Sequence, residues 1–150
     1  MATHKRRLAI VDDDGTHIKA VYVEPGTNGF EGADLSGLAA PGIRNLRGVS
    51  FRSAVLYWAC LADADLSGCN FEGADLRGAT LEGAKFVGAN LRGAKLSRDN
   101  LGGMTNLRGA DLTDADLLGA NLTDAEYDDR TKFPAGFSPV SAGCLYVDAL

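Results

Sequence analysis

Residues 69–98 read CNFEG ADLRG ATLEG AKFVG ANLRG AKLSR, six blocks of five with Leu or Phe third and Ala or Cys first in nearly every block. The same spacing carries the large residues without interruption through Leu46, Phe51, Leu56, Leu61, Leu66, Phe71, Leu76, Leu81, Phe86, Leu91, Leu96 and Leu101. After one extra residue it resumes at Leu107, Leu112, Leu117, Leu122 and Tyr127, and Phe30 and Leu35 keep the spacing ahead of the run. A period of five fits neither a helix at 3.6 residues per turn nor a long strand at 2. It fits a chain that turns one large and one small side chain inward along each short side and then rounds a corner. Gly, two residues after most large positions, supplies the positive φ such corners require. An amphipathic helical array would not tolerate Gly at every fifth residue.

These A-(D/N)-L-x-x blocks, from about Phe30 to Phe133, resemble the pentapeptide-repeat family. The resemblance implies an all-β fold, a right-handed four-sided parallel β-helix with four pentapeptides per coil. Residues 27–133 would form about five coils of this solenoid. On that count Phe51, Phe71, Leu91 and Leu112 share one inner face, extended by Phe30 below and Phe133 above. The expected core also includes Leu76, Leu81, Phe86, Leu96 and Leu117. Outside the phenylalanine column Glu31, Arg52, Glu72 and Arg92 alternate in sign, placing opposite charges on neighbouring coils. Arg44 and Asp99 fall at inward positions and are expected at irregular turns, beside Pro41-Gly42 and Gly102-Gly103.

Both ends of a solenoid need covering. Residues 1–26 read as a cap, with strands Lys5–Val11 and Ile18–Glu24 around Asp12-Asp13-Asp14-Gly15. Residues 134–150 read as the opposite cap or tail, with Tyr127, Phe133 and Phe137 as lids. Pro134, Gly136 and Pro139 should break further strand pairing, so a monomer is expected.

Little in the sequence suggests catalysis. His4 and His17 both precede the repeats, Cys69 takes an inward slot, and Cys60 has no cation near it in sequence to activate it. Counted from Asp12, the sixth position of a calcium loop would be His17 rather than glycine. No catalytic, metal or cofactor-binding residue is assigned. No apolar stretch approaches the roughly 18 residues of a membrane span. The apolar run after the basic start is too short for a signal peptide. Three cysteines fit a reducing cytoplasm.

A net charge of −5 disfavours nucleic acid as partner. The expected function is a non-catalytic protein-interaction or scaffold module with an unidentified protein partner. The alternative implied by the resemblance is a DNA-mimicking protein that binds gyrase, a topoisomerase, and confers antibiotic or toxin resistance. Against it, basic residues outnumber acidic ones between Arg44 and Arg108. The acids Asp111, Asp114, Asp116, Asp124, Glu126, Asp128 and Asp129 then follow with no Lys or Arg among them. The candidate contact surface is Val55, Tyr57, Trp58 and Cys60, outward positions that elsewhere carry polar residues or Gly, with Arg77 and Asp75 one coil above. An intramolecular cover is also expected: the hairpin face of Leu8, Ile10, Val21 and Val23 would lie over Trp58.

Overall fold

The computed structural model describes residues 4–148. From Phe30 to Phe133 the chain winds as a parallel solenoid. Isolated bridges join Ser50 to Asn70, Val55 to Asp75, Cys60 to Thr80 and Asp65 to Lys85, so a regular coil takes 20 residues, four pentapeptides. Each side contributes one rung: Leu56 N–H donates to Asp75 C=O at 2.7 Å, and Asp75 N–H donates back to Ala54 C=O at 2.9 Å. The corners are β-turns, such as Ala59 N–H donating to Leu56 C=O at 3.1 Å, with positive φ at the third residue. That conformation explains the glycine two places after each large residue, as at Gly68 and Gly73.

The inward side chains form one continuous core. Phe71, Leu76, Leu81, Phe86, Leu91, Leu96 and Leu112 are fully buried, with Ala74, Ala79 and Ala84 between them. Phe30, Phe51 and Phe71 stack with centroids 5.6 and 5.0 Å apart, and Phe86 meets Phe71 edge-on from the adjacent side. Near the C-terminal end Leu117 and Phe133 are only half-buried.

The register departs from expectation within the fourth coil. Thr80 pairs with Asn106, Lys85 with Asp111, and Asn90 with Asp116. Leu112 therefore stands over Phe86, and Leu117 takes the place over Leu91. Phe133 follows Leu112 on that same neighbouring side, through Asp111 paired with Lys132. The cause is a loop over residues 97–104. Leu101 keeps the five-residue spacing yet is 81% exposed. Asp99 folds the loop on itself, its carboxylate accepting the N–H groups of Leu101 at 2.7 Å and Gly103 at 2.8 Å. Thr105 then takes the inward small-residue slot. Its buried hydroxyl accepts Gly78 N–H at 3.1 Å and lies within donating distance of the carbonyls of Leu76 and Ser97. Arg44 is exposed, and Ile43 points inward in its stead.

At the base, β1 (Arg6–Val11) and β2 (His17–Val23) pair antiparallel, with a bulge at Ile10/Val11. The hairpin seats on the first coil rather than over Trp58. Arg6 reaches Thr27 C=O at 2.7 Å, Lys19 reaches Ser36 C=O at 3.0 Å, and Asn45 Nδ2 donates to Val11 C=O at 3.1 Å. Ile10 and Val23 are buried in that contact. At the top, β3 (Glu126–Tyr127) pairs in parallel with β4 (Leu145–Tyr146). The breakers at 134–139 thus delay strand pairing without ending it. Phe137, Phe133, Tyr127 and Tyr146 form a chain of aromatic contacts with centroids 5.2–5.5 Å apart.

Candidate functional site: an aromatic corner

The corner after Leu56 carries Trp58 where the coils below and above carry Gly37 and Gly78. Trp58 holds φ +54°, a left-handed conformation that costs an L-residue roughly 1–2 kcal/mol. Its indole lies over Gly78: a Cβ there would stand 2.5 Å from Trp58 Cδ1. The vacancy left by that glycine is what admits the ring. The indole N–H donates to the Asp99 carboxylate, joining the second coil to the 97–104 loop. That bond, with the N–H groups of Gly103 and Leu101, holds the Asp99 carboxyl below the usual carboxylate range. Even so, Trp58 remains 52% exposed.

Tyr57 meets Trp58 edge-on, centroids 6.0 Å apart, and the Arg77 guanidinium sits 4.7 Å above the Tyr57 ring. Arg77 is held by a fork onto Asp75, with Nε to Oδ1 at 2.9 Å and Nη2 to Oδ2 at 2.6 Å. Burial pushes the Asp75 carboxyl up, but the Arg77 bonds outweigh it and leave the group below its ordinary range. Val55 flanks this cluster, bridged to Asp34 and Asp75, whereas Cys60 lies round the corner between Ala39 and Thr80. The expected surface therefore divides: Tyr57, Trp58 and Arg77 come together with Val55 beside them, and Cys60 belongs to the next side. Sequence reading had no signal for the Asp99 contact, 41 residues away. It also missed Leu101, whose exposed side chain sits on the loop that Asp99 anchors.

This arrangement offers aromatic faces, a fixed guanidinium and an apolar tip, the chemistry of recognition rather than of bond making. Burial pushes the thiols of Cys69 and Cys144 up to about 11, far from thiolate at neutral pH. His4 and His17 are exposed on the N-terminal segment. Among the described residues no cluster of His, Cys, Asp or Glu could hold a metal ion, and no helix is long and apolar enough to cross a membrane.

Four of the seven late acidic residues are paired. Arg92 meets Asp116 at 3.2 Å, Arg98 meets Asp124 at 3.4 Å, Lys132 meets Asp111 at 3.9 Å, and Arg130 meets Asp128 at 2.7 Å. Among the described residues Glu31, Arg52, Glu72 and Arg92 of the alternating column form no ion pair with one another. Glu31 instead accepts from Ser50 Oγ at 2.9 Å.

A family model for pentapeptide repeats matches residues 45–68, 59–98 and 104–126, in 8 copies. The match breaks at 99–103, within the loop that leaves the ladder. Among solved structures, the pentapeptide repeat protein Rfr23 from the cyanobacterium Cyanothece 51142 is 33% identical, with a TM-score of 0.53. The match covers 64% of this chain and 64% of that one, so the chain spans under two thirds of its length. The pentapeptide repeat protein alr5209 from Nostoc PCC 7120 is 32% identical over 81% of this chain and 87% of its own, with a TM-score of 0.34. QnrB1, a plasmid-mediated fluoroquinolone resistance protein, is 19% identical over 79% of this chain and 78% of its own, with a TM-score of 0.49. No curated protein matches the chain.

Proposed function

The chain belongs to the pentapeptide-repeat family, and from that premise we propose that it is a non-catalytic protein-binding scaffold whose contact surface is the Trp58 corner. Its solenoid would carry the right-handed sense that the family resemblance implies, and its free thiols suit a reducing cytoplasm. One observation carries the reading. A half-exposed tryptophan occupies a left-handed corner suited to glycine and is pinned by Asp99 beside an exposed leucine. Large amphipathic side chains held rigid at a surface are the usual anchors of protein interfaces. The test is affinity capture from the native host with the parent chain, Trp58→Gly and Leu101→Ser. Neither substitution touches the core, so a partner held by the parent and lost by both supports the corner. Retention by both overturns it.

Gyrase binding by DNA mimicry has less support. Mimicry needs uninterrupted negative charge along a rod, and here Arg92, Arg98, Arg130 and Lys132 lie within the late acidic side chains. Gyrase supercoiling should proceed unchanged with the chain in excess.

A further inference from the structure

At the top of the fifth coil two successive sides, those of Leu117 and Leu122, lack ladder partners along most of their length among the described residues. In the fourth coil, Leu91 N–H and Gly93 N–H donate upward to Asp116 and Leu118 at 2.8 and 3.0 Å, and Ala89 C=O accepts Asp116 N–H at 2.9 Å. The corresponding groups one coil higher are Leu117 N–H, Gly119 N–H and Ala115 C=O. Among the described residues none of these has a hydrogen-bond partner. The flanking sides are closed by Lys132 above Leu112 and by Leu145 above Ala125, and the Leu122 side is met at its far corner, where Asp124 N–H donates to Gly143 C=O. Between them the chain swings out at 134–137, leaving an open groove of about 590 Å³ with 115–119 as its floor. Leu117 is half-buried there, and Leu118 at its edge is 64% exposed.

We infer that this groove is a strand-addition site that takes an extended peptide with an apolar side chain flanked by basic ones. The backbone groups ask for backbone: two donors and an acceptor, spaced as the ladder spaces them, are what a segment in β conformation satisfies. The apolar requirement comes from Leu117 and Phe137, which line the groove. The basic requirement comes from charge. Residues 111–148 hold eight acidic residues against two basic ones. Asp114, which also lines the groove, forms no ion pair among the described residues, whereas Asp116 is matched by Arg92. A second copy of this chain is the poorer occupant, because end-to-end docking would set two acidic ends against each other. This surface lies away from the Trp58 corner and stands independently of it.

The probe is a fluorescein-labelled hexapeptide, Lys-Val-Lys-Leu-Lys-Val, titrated with the full chain and read by anisotropy. Three companions accompany it: the peptide with alternate amides N-methylated, its Glu-for-Lys counterpart, and sedimentation velocity of the chain alone. Saturable binding is expected, with Kd below about 1 mM. N-methylation and the Glu counterpart should each abolish it. Asp114→Asn, a residue type that tolerates the φ of +59° at that position, should weaken binding by about threefold. Ala135→Arg, an exposed substitution that fills the groove, should remove it, and Trp58→Gly should leave it unchanged. Equal binding of the N-methylated peptide, no saturation by about 1 mM, or a dimer that Ala135→Arg dissociates would each overturn the inference.

Discussion

Replacing Gly78 by alanine puts a methyl carbon where the Trp58 indole now lies, 2.5 Å from Cδ1 and 2.8 Å from Nε1. Gly93 is the control, for it holds φ +65° against the +71° of Gly78, and a Cβ there meets nothing within 4 Å. Both alanines incur about 1 kcal/mol for the left-handed conformation. Only Gly78→Ala must also displace the ring. A tryptophan side chain covers about 200 Å², and 52% of Trp58 is exposed, leaving about 100 Å² in contact. At 25 cal/mol per Å² that contact contributes about 2.5 kcal/mol, and a swung-out ring that keeps Tyr57 loses about half. Gly78→Ala should therefore cost about 2 kcal/mol and Gly93→Ala about 1. Urea unfolding followed by circular dichroism measures both. Emission of the single tryptophan should shift to longer wavelength in Gly78→Ala alone. In a Trp58→Gly background the excess cost of Gly78→Ala should fall without vanishing, because Asp99 Oδ2 also stands 2.8 Å from the added carbon; the drop measures the indole contact as a coupling energy. Equal costs in the parent chain, with unchanged emission, would refute the placement of the indole over the corner.

Three further outcomes follow. Phe71→Ala, which opens the middle of the stacked column, should destabilise the fold by about 3–5 kcal/mol in the same assay. The carboxyls of Asp75, Asp99 and Asp128 lie below their ordinary value when folded, so the stability they contribute is complete above the unfolded carboxylate range near 4 and is lost as pH falls through the lower folded values. The urea midpoint should accordingly hold from pH 7 to 5 and drop between 4 and 2. Cys69, buried with its thiol pushed up to about 11, should resist iodoacetamide at pH 8 in the folded chain and label on unfolding, as peptide mass analysis would read.

The solenoid was legible because every side repeats one local rule: Leu56, Leu76 and Leu96 each turn inward with alanine two places before. Leu101 shows where the rule fails. Periodicity counts residues along the chain, whereas the ladder counts residues that bond, and a loop can preserve the first while leaving the second. Asp99 and Gly102-Gly103 gave the warning, and both lie in the excursion. Missing its length misplaced Leu112 and Phe133 by one side. The Trp58 corner was half legible. An aromatic in a glycine slot is visible in sequence, but its partner Asp99 is brought near only by the loop. The open groove was not legible, since it depends on where the chain at 134–137 leaves the ladder, and no pattern of side chains records that.

Because the chain leaves the ladder after Ser97 and rejoins it at Thr105, rod height and polypeptide length are decoupled here. Five coils at about 4.8 Å give a rod of roughly 24 Å, whatever the number of residues between those two points. A foreign segment spliced between Arg98 and Met104 would lengthen the protein without lengthening the rod. It would be displayed beside the indole, at a fixed height and facing a known side. The corner is thereby a natural mounting point, where new binding specificity can be exchanged without re-threading the coils above and below.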